Sequence, residues 1–387
     1  MTNRRTLFAI ACLGLLTFGI VFTTLGAVLP EVTARFGLDK TAAGSLLTLS
    51  TFGIVVGSLV FGPIVDRWGY KEMLIFGTAI VIAGLEGIAF APSLLWLRTA
   101  ALVSGFGGGI INGGTNALVA DISTDGRMAG LSKLAVYFGF GAVGVPLTLG
   151  TLLGNFSYAT ILAAIGAAST IPLAATAVTP FPAPKQAQGF PLASAKRLLR
   201  DPVLLTFGLM LFLESGMEVT VGGWTTTFFE EELQTPDRRA LVYLALFWLG
   251  MMLARTTLGM TLRRFAPTRI LFGCITIGVA GALTVVSTHS AAVAALGVFV
   301  IGIGFSATFP LVLGLVADRY TALSGTAFSV VMVMALTGGM TLPYLTGVLG
   351  ASYGLRVSFL IVPGALVLLA ILLSVVSSRS SPAPAIT

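Results

Sequence analysis

Twelve apolar runs of about twenty residues each decide the solvent for this chain. They begin near Leu7, Ala43, Met73, Leu95, Leu134, Tyr158, Val203, Leu241, Ile270, Ala291, Gly325 and Val357. A helix of about twenty apolar residues crosses the hydrocarbon core of a bilayer. Only 10% of the residues are charged and 56% are hydrophobic, whereas a soluble domain carries about 25% charge. A water-soluble fold could not hide that much apolar surface. A cytosolic enzyme, a secreted disulfide scaffold and a disordered chain are thereby excluded. The expected class is an all-α membrane protein with twelve transmembrane helices. The first run follows MTNRR and continues to Pro30 with no small-residue cleavage site, so it reads as a retained helix and not as a signal peptide.

The longest polar gap, residues 179–201, reads TPFPAPKQAQGFPLASAKRLLRD. Its prolines forbid regular helix at its start. It divides the spans into an N-terminal six-helix bundle (1–178) and a C-terminal one (202–387), joined by a linker. Lys185, Lys196, Arg197 and Arg200 mark that linker as cytoplasmic. With the N-terminus inside, fifteen of the 22 Lys and Arg fall on cytoplasmic segments and six on external ones; Arg255 alone lies within a span. This bias places both termini inside, in a multi-pass protein expected in a bacterial inner (plasma) membrane. It also accounts for the net charge of +7, so no nucleic-acid partner is expected. Cys12 and Cys274 lie in apolar runs and His289 is the single histidine. That is too little for a zinc site, and no metal or cofactor is expected. Nothing in the chain requires a second copy, and a monomer is expected.

At an offset of 197 residues the halves align without a gap. Gly19 meets Gly216, Thr23 meets Thr220, Gly53 meets Gly250 and Arg67 meets Arg264. VAD at 119–121 meets VAD at 316–318, and Gly141 and Pro146 meet Gly338 and Pro343. Two like six-helix halves joined by a cytoplasmic loop resemble the parallel repeat of the major facilitator superfamily. Between spans two and three, GPIVDRWGYKEML is similar to that superfamily's loop signature, G-x-x-x-D-R-x-G-R-K/R. Gly62, Asp66, Arg67, Gly69 and Lys71 carry the match, and Tyr70 departs from it. The resemblance implies that Asp66 packs against the N-terminus of span eleven, near Gly325, as part of a conformational gate. Arg67 reads equally as a charge that fixes topology. Asp121 with Arg127 and Asp318 with Arg319, at the ends of spans four and ten, fit either hydrated helix-end charges or a pair of latches between the halves.

Charged groups inside a span cost roughly 2.5–3.5 kcal/mol on insertion scales and are functional candidates by default. Four stand out: Glu86, Glu214, Glu218 and Arg255. A spacing of four places Glu214 and Glu218 on one face of span seven. Two acids that close cannot both ionise cheaply in a low dielectric, so one is expected to take up a proton. Arg255 of span eight is the expected counter-charge, either as a plain ion pair or as a partner in proton coupling. Glu86, toward the outer end of span three, has no assigned role beyond reaching the headgroups. Gly222 and Gly223 follow the acids and are expected to weaken span seven enough to bend or break it. Trp224 fits two readings, an interfacial belt residue or a stacking platform for substrate.

A narrower resemblance runs through these segments. SGMEVTVGGW in span seven is similar to the G-x-E-x-x-x-G-x-W pattern of the fucose/glucose–proton symporter group and its sodium–glucose relatives, through Gly216, Glu218, Gly222 and Trp224. FWLGMMLARTTLG in span eight resembles the same group through Trp248, Gly250 and Arg255. Glu214 is an acid additional to that pattern. Asn112 and Asn116 share a face of span four and suit sugar hydroxyls, or else bond a neighbouring helix. Tyr137 and Thr23, with Thr24, are further cavity candidates, and Pro146 and Pro343 are expected to kink spans five and eleven.

No Walker A, G-x-S-x-G or H-E-x-x-H motif is present. Neither an enzyme nor ATP-driven transport is expected. The expected function is secondary active transport of a small polar solute, a sugar, coupled to H⁺ or to Na⁺ by alternating access. The alternative is a drug or lipid exporter working as a proton antiporter. A receptor or scaffold on the same fold leaves the buried acids without a reason.

Overall fold

The computed structural model describes residues 3–123, 127–182, 200–320 and 324–378, with backbone alone at 62–64, 66–67, 127–129, 132, 324–326, 328–329 and 378. Among the described residues, twelve helices are long and apolar enough to cross a membrane. They are Arg4–Phe36, Lys40–Phe61, Trp68–Ala89, Leu94–Ile122, Lys133–Leu152, Tyr158–Val178, Pro202–Leu233, Asp237–Leu262, Pro267–Ser287, Ala291–Arg319, Val330–Tyr353 and Leu355–Ser377, hereafter spans one to twelve. The protein is an integral, multi-pass membrane protein of all-α class, as its apolar runs require.

Local chemistry starts and stops these helices. Asp39 accepts a hydrogen bond from the Ala42 N–H at 2.7 Å, and Ser93 and Ser157 cap the helices that follow them. Each such cap stabilises its helix by about 1 kcal/mol. Spans two and three form one helical run broken only at Gly69, where φ is 89°. Only glycine adopts that backbone without strain, which explains its place in the loop signature.

Interruptions inside spans follow proline. Helix gives way at Ser169, at Ser306–Ala307 and at Phe359–Leu360. Each point lies three or four residues before a proline (Pro172, Pro310 and Pro363). Proline lacks the N–H that the carbonyl four residues earlier needs. The chain runs helically through Pro146 and Pro343. Span seven is likewise unbroken across Gly222 and Gly223, against the expectation of a weak point there. The two glycines serve close packing instead. A Cβ on Gly222 would sit 2.8 Å from the Trp248 ring, and one on Gly223 would sit 2.5 Å from Leu47.

The chain packs as two compact units, Met1–Gln188 with Gly222–Leu249, and Gly189–Val221 with Gly250–Thr387. In the first, spans two and four approach backbone to backbone, since a Cβ on Gly53 or Gly105 would strike the facing carbonyl of Leu102 or Ser50. Close approach of this kind is how small residues bring membrane helices together. The segment Gly222–Leu249 is tied in by polar contacts as well. Thr226 Oγ1 donates to the Gly26 carbonyl at 2.8 Å, Lys40 pairs with Glu231 at 2.9 Å, and Arg238 donates to the Thr151 carbonyl at 3.0 Å.

In the second unit, spans seven and eleven meet where a Cβ on Gly338 would strike the Phe212 carbonyl. Asp201 starts span seven: its Oδ1 accepts from the Val203 N–H at 2.8 Å, while its Oδ2 accepts from the Tyr320 hydroxyl at 2.8 Å. Burial, and then the Asp201 carboxylate, push the Tyr320 phenol above its ordinary range. A raised folded-state value means that the protonated form is the bound one. Its stabilisation is therefore complete below the unfolded value, about 10, and is lost as pH rises beyond it. Tyr320→Phe is expected to lower stability by about 1 kcal/mol, the lower side of a charge-assisted bond because the site is half-exposed. Thermal unfolding in detergent checks this, with the gap between the two proteins closing in strong alkali.

Candidate functional site

Span seven presents Glu214 and Glu218 to the interior of the second unit, 1% and 9% exposed respectively. The intervening turn is helical, so the four-residue spacing places both acids on one face, as the sequence requires. Arg255 of span eight extends toward them, with Nη2 3.9 Å from Glu218 Oε2. This is an ion pair, too long for a hydrogen bond. Nε of the same guanidinium donates to the Ser306 carbonyl at 3.2 Å. That carbonyl is available because Pro310 removes its helical donor. Neither carboxyl oxygen of Glu214 has a well-formed hydrogen bond among the described residues. Its electrostatic neighbours are Glu218 and Arg255. The structure thus gathers the three expected ionisable residues and adds Ser306, which sequence reasoning missed. Pro310 inside an apolar run was the available signal.

In the first unit, Asn112 and Asn116 lie half-buried on one face of span four. Asn116 Nδ2 donates to the Asn112 backbone carbonyl at 2.9 Å and to Asn112 Oδ1 at 3.1 Å. Both bonds stay within the helix. Thr23 donates to the Gly19 carbonyl at 3.0 Å and Thr24 to the Ile20 carbonyl at 2.7 Å, and both side chains are buried. Each hydroxyl hydrogen is thus used by its own helix. Tyr137 is exposed and packs edge-on to Phe140, with ring centroids 6.0 Å apart. Trp224 is fully buried, which overturns the interfacial-belt reading.

The aromatic centre of this unit is Trp248, which the candidate binding residues did not include. Its ring lies 5.8 Å from Phe22, 5.9 Å from Phe138 and 4.7 Å from Phe247. Its indole N–H is buried and has no acceptor among the described residues. Such orphan donors are few in native proteins.

The residues expected at the gate are placed unevenly. Tyr70, where the loop signature has a base, donates to Asp121 Oδ2 at 2.6 Å. Asp318 is exposed, and Arg319 lies half-buried beside Tyr320. The side chains of Asp66, Arg67 and Arg127 fall outside the described residues, and Gly325 is described by its backbone alone. Glu86 is half-buried against span six, where a Cβ on Gly166 would overlap its carboxyl. Among the described residues, no group of His, Cys, Asp and Glu is placed to hold a metal ion.

The model of the Major Facilitator Superfamily matches residues 11–337. The chain belongs to this superfamily. Among curated relatives, it is 29% identical to the 4-hydroxybenzoate transporter PcaK of Pseudomonas aeruginosa over 163 residues, 39% of this chain and 34% of that protein. The chain thus spans about a third of the length of that relative. It is 21% identical to the glucose/mannose transporter GlcP of Bacillus subtilis over 345 residues, 86% of this chain and 84% of GlcP. A crystal structure of the nucleoside transporter NupG superposes with a TM-score of 0.80 at 17% identity, covering 96% of this chain and 99% of NupG. At that identity the likeness shows the superfamily fold alone. The named relatives are a 4-hydroxybenzoate transporter and a glucose/mannose transporter.

Proposed function

We propose that this superfamily member moves a small polar solute, a sugar, across a bacterial inner membrane by proton-coupled alternating access. The observation that carries the reading is the grouping of buried Glu214 and Glu218 with half-buried Arg255 inside membrane spans. Two carboxyl groups and one guanidinium are electrically balanced when the pair holds one proton, so the site is suited to take up and release a single H⁺. Keeping two buried carboxyl groups and a half-buried guanidinium within membrane spans is costly, and such groups are functional candidates by default. The two six-helix bundles, 1–178 and 202–387, are the moving parts in this reading, with the 179–201 linker and both termini cytoplasmic. Asp66, Arg67, Asp121, Arg127, Asp318 and Arg319 belong to the gate. The solute site draws on Asn112 and Asn116, with Tyr137, Trp224 and Thr23 around it. Similarity to GlcP along most of both chains supports the sugar.

A second reading, export of an amphipathic drug or lipid by proton antiport, draws on the aromatic cluster around Trp248. Uptake into proteoliposomes separates the two. Under an inside-alkaline pH gradient, a labelled hexose is expected to accumulate and to leak away when a protonophore is added. Nucleosides and 4-hydroxybenzoate serve as comparison substrates. Failure of every sugar, together with gradient-driven extrusion of a hydrophobic dye, would replace the first reading by the second.

The asparagines give a finer test. Asn112→Ala or Asn116→Ala removes a neutral hydrogen bond, about 0.5–1.5 kcal/mol, and is expected to weaken hexose affinity roughly two- to twelvefold. Equilibrium binding measures this. Unchanged affinity with a lower melting temperature would assign the pair to helix packing.

A further inference from the structure

The guanidinium of Arg255 meets two partners through two of its nitrogens. Nη2 faces the Glu218 carboxylate at 3.9 Å, and Nε donates to the Ser306 carbonyl at 3.2 Å. The guanidinium is planar and rigid, so a shift that shortens one contact changes the other. The Ser306 carbonyl is no ordinary acceptor. It lies where span ten is divided into Ala291–Phe305 and Thr308–Arg319. Its helical donor would be the N–H of residue 310, and Pro310 has none. Arg255 therefore supplies the bond that the interrupted helix cannot make for itself.

We infer that Arg255 is a positioning residue that ties the protonation state of Glu218 to the break in span ten, by dividing its guanidinium between the Glu218 carboxylate and the Ser306 carbonyl. The inference rests on the proton-coupled reading above and deepens it. With Glu218 ionised, the carboxylate draws the guanidinium toward span seven. When Glu218 takes a proton from the water, its charge goes from −1 to zero and that attraction ends. Arg255 then settles on the carbonyl and steadies the joint of span ten. Release of the proton reverses the step. A change at one carboxyl group is thereby converted into a change in stiffness at a helix joint, a two-state element of the kind that coupling needs.

The groups facing this link are few. Glu214 and Glu218 come from span seven, Arg255 from span eight, and Cys274 from span nine, where its thiol interacts with the Ser306 side chain. Spans ten and eleven place no acid or base beside the carboxyl pair among the described residues. Pro310→Ala is the informative substitution because it removes nothing from the ionisable set. It returns to Ser306 the backbone donor that proline withheld, and Arg255 loses that role.

The test is hydrogen–deuterium exchange of the full-length protein in nanodiscs. It reads peptides covering residues 303–312 from acid to mildly alkaline pH, after correction for intrinsic exchange. In the wild type, protection of this segment is expected to change severalfold with pH. Glu218→Gln is expected to hold it at the acid-side level throughout. Pro310→Ala is expected to remove the response although Glu218 is intact. Should Pro310→Ala fail to fold, Arg255→Lys reads the same link, since one ammonium lacks the fork that serves both partners; its response is expected to fall at least threefold. A wild-type response that survives in Glu218→Gln, or in whichever of the other two variants folds, overturns the inference. Gradient-driven uptake in the same preparations separates it from the coupling reading. Loss of the exchange response in Glu218→Gln with uphill uptake retained would leave the link standing and remove proton coupling. Loss of uptake with the exchange response retained would do the opposite.

Discussion

Glu218→Gln is expected to abolish uphill accumulation driven by a pH gradient while leaving solute exchange in place. Glutamine mimics the protonated carboxyl group in shape and polarity but never releases H⁺. Each unit of pH difference is worth about 1.4 kcal/mol per proton, a tenfold accumulation ratio at one proton per solute. The variant is expected to lose that factor entirely and to equilibrate its solute across the membrane. Counterflow requires only that the loaded carrier reorient, so it is expected to continue. Glu214→Gln should do less, because Glu218 is the acid that reaches Arg255, at 3.9 Å. Counterflow and gradient-driven uptake, measured side by side in proteoliposomes, decide the matter. Accumulation lost in Glu214→Gln alone reverses the assignment, and accumulation surviving in the double variant removes the pair from coupling.

Gly26→Ala is expected to reduce transport of every substrate by at least fivefold, through packing and not through binding. A single methyl group at Gly26 would strike the Gly222 carbonyl and come within 2.8 Å of the Gly223 Cα. Both obstacles are backbone, and neither can turn aside as a side chain would. Overpacking of this kind costs about 1–3 kcal/mol, which shifts a conformational population by roughly five- to 150-fold. The state disfavoured is the one in which Gly222–Leu249 packs with spans one, two and five. Gly144→Ala is the control, because a Cβ there meets nothing within 4 Å. Equal flux in Gly26→Ala and Gly144→Ala would show that the close contact is dispensable to the cycle.

Much of the architecture was legible because it depends on local pattern. The length of the apolar runs gave the spans, and the offset between the halves pointed to the superfamily whose model matches the chain. A spacing of four put Glu214 and Glu218 on one helical face without reference to anything distant. What escaped was the set of contacts between residues far apart in sequence. Gly222 and Gly223 promised a weak helix, yet Trp248 and Leu47 fill the space that the glycines leave open, and that packing keeps the helix whole. Pro310 blends into a run of apolar residues, although a missing N–H cannot be compensated by packing. Ser306 enters the site only because Arg255, 51 residues away in the chain, reaches its carbonyl. Trp224 was ambiguous because sequence position does not distinguish a ring at the lipid interface from one enclosed by other helices.

The placement of the tryptophans gives the protein an optical reporter of its own. Trp68 and Trp96 are 53% and 54% exposed, whereas Trp224 and Trp248 are enclosed. A quencher dissolved in water or lipid reaches the first two rings and is kept from the other two. With Trp68 and Trp96 replaced by phenylalanine, the remaining emission comes from two indoles on the segment that packs against span one. Its colour and lifetime are then expected to report any change in that packing in an unlabelled protein.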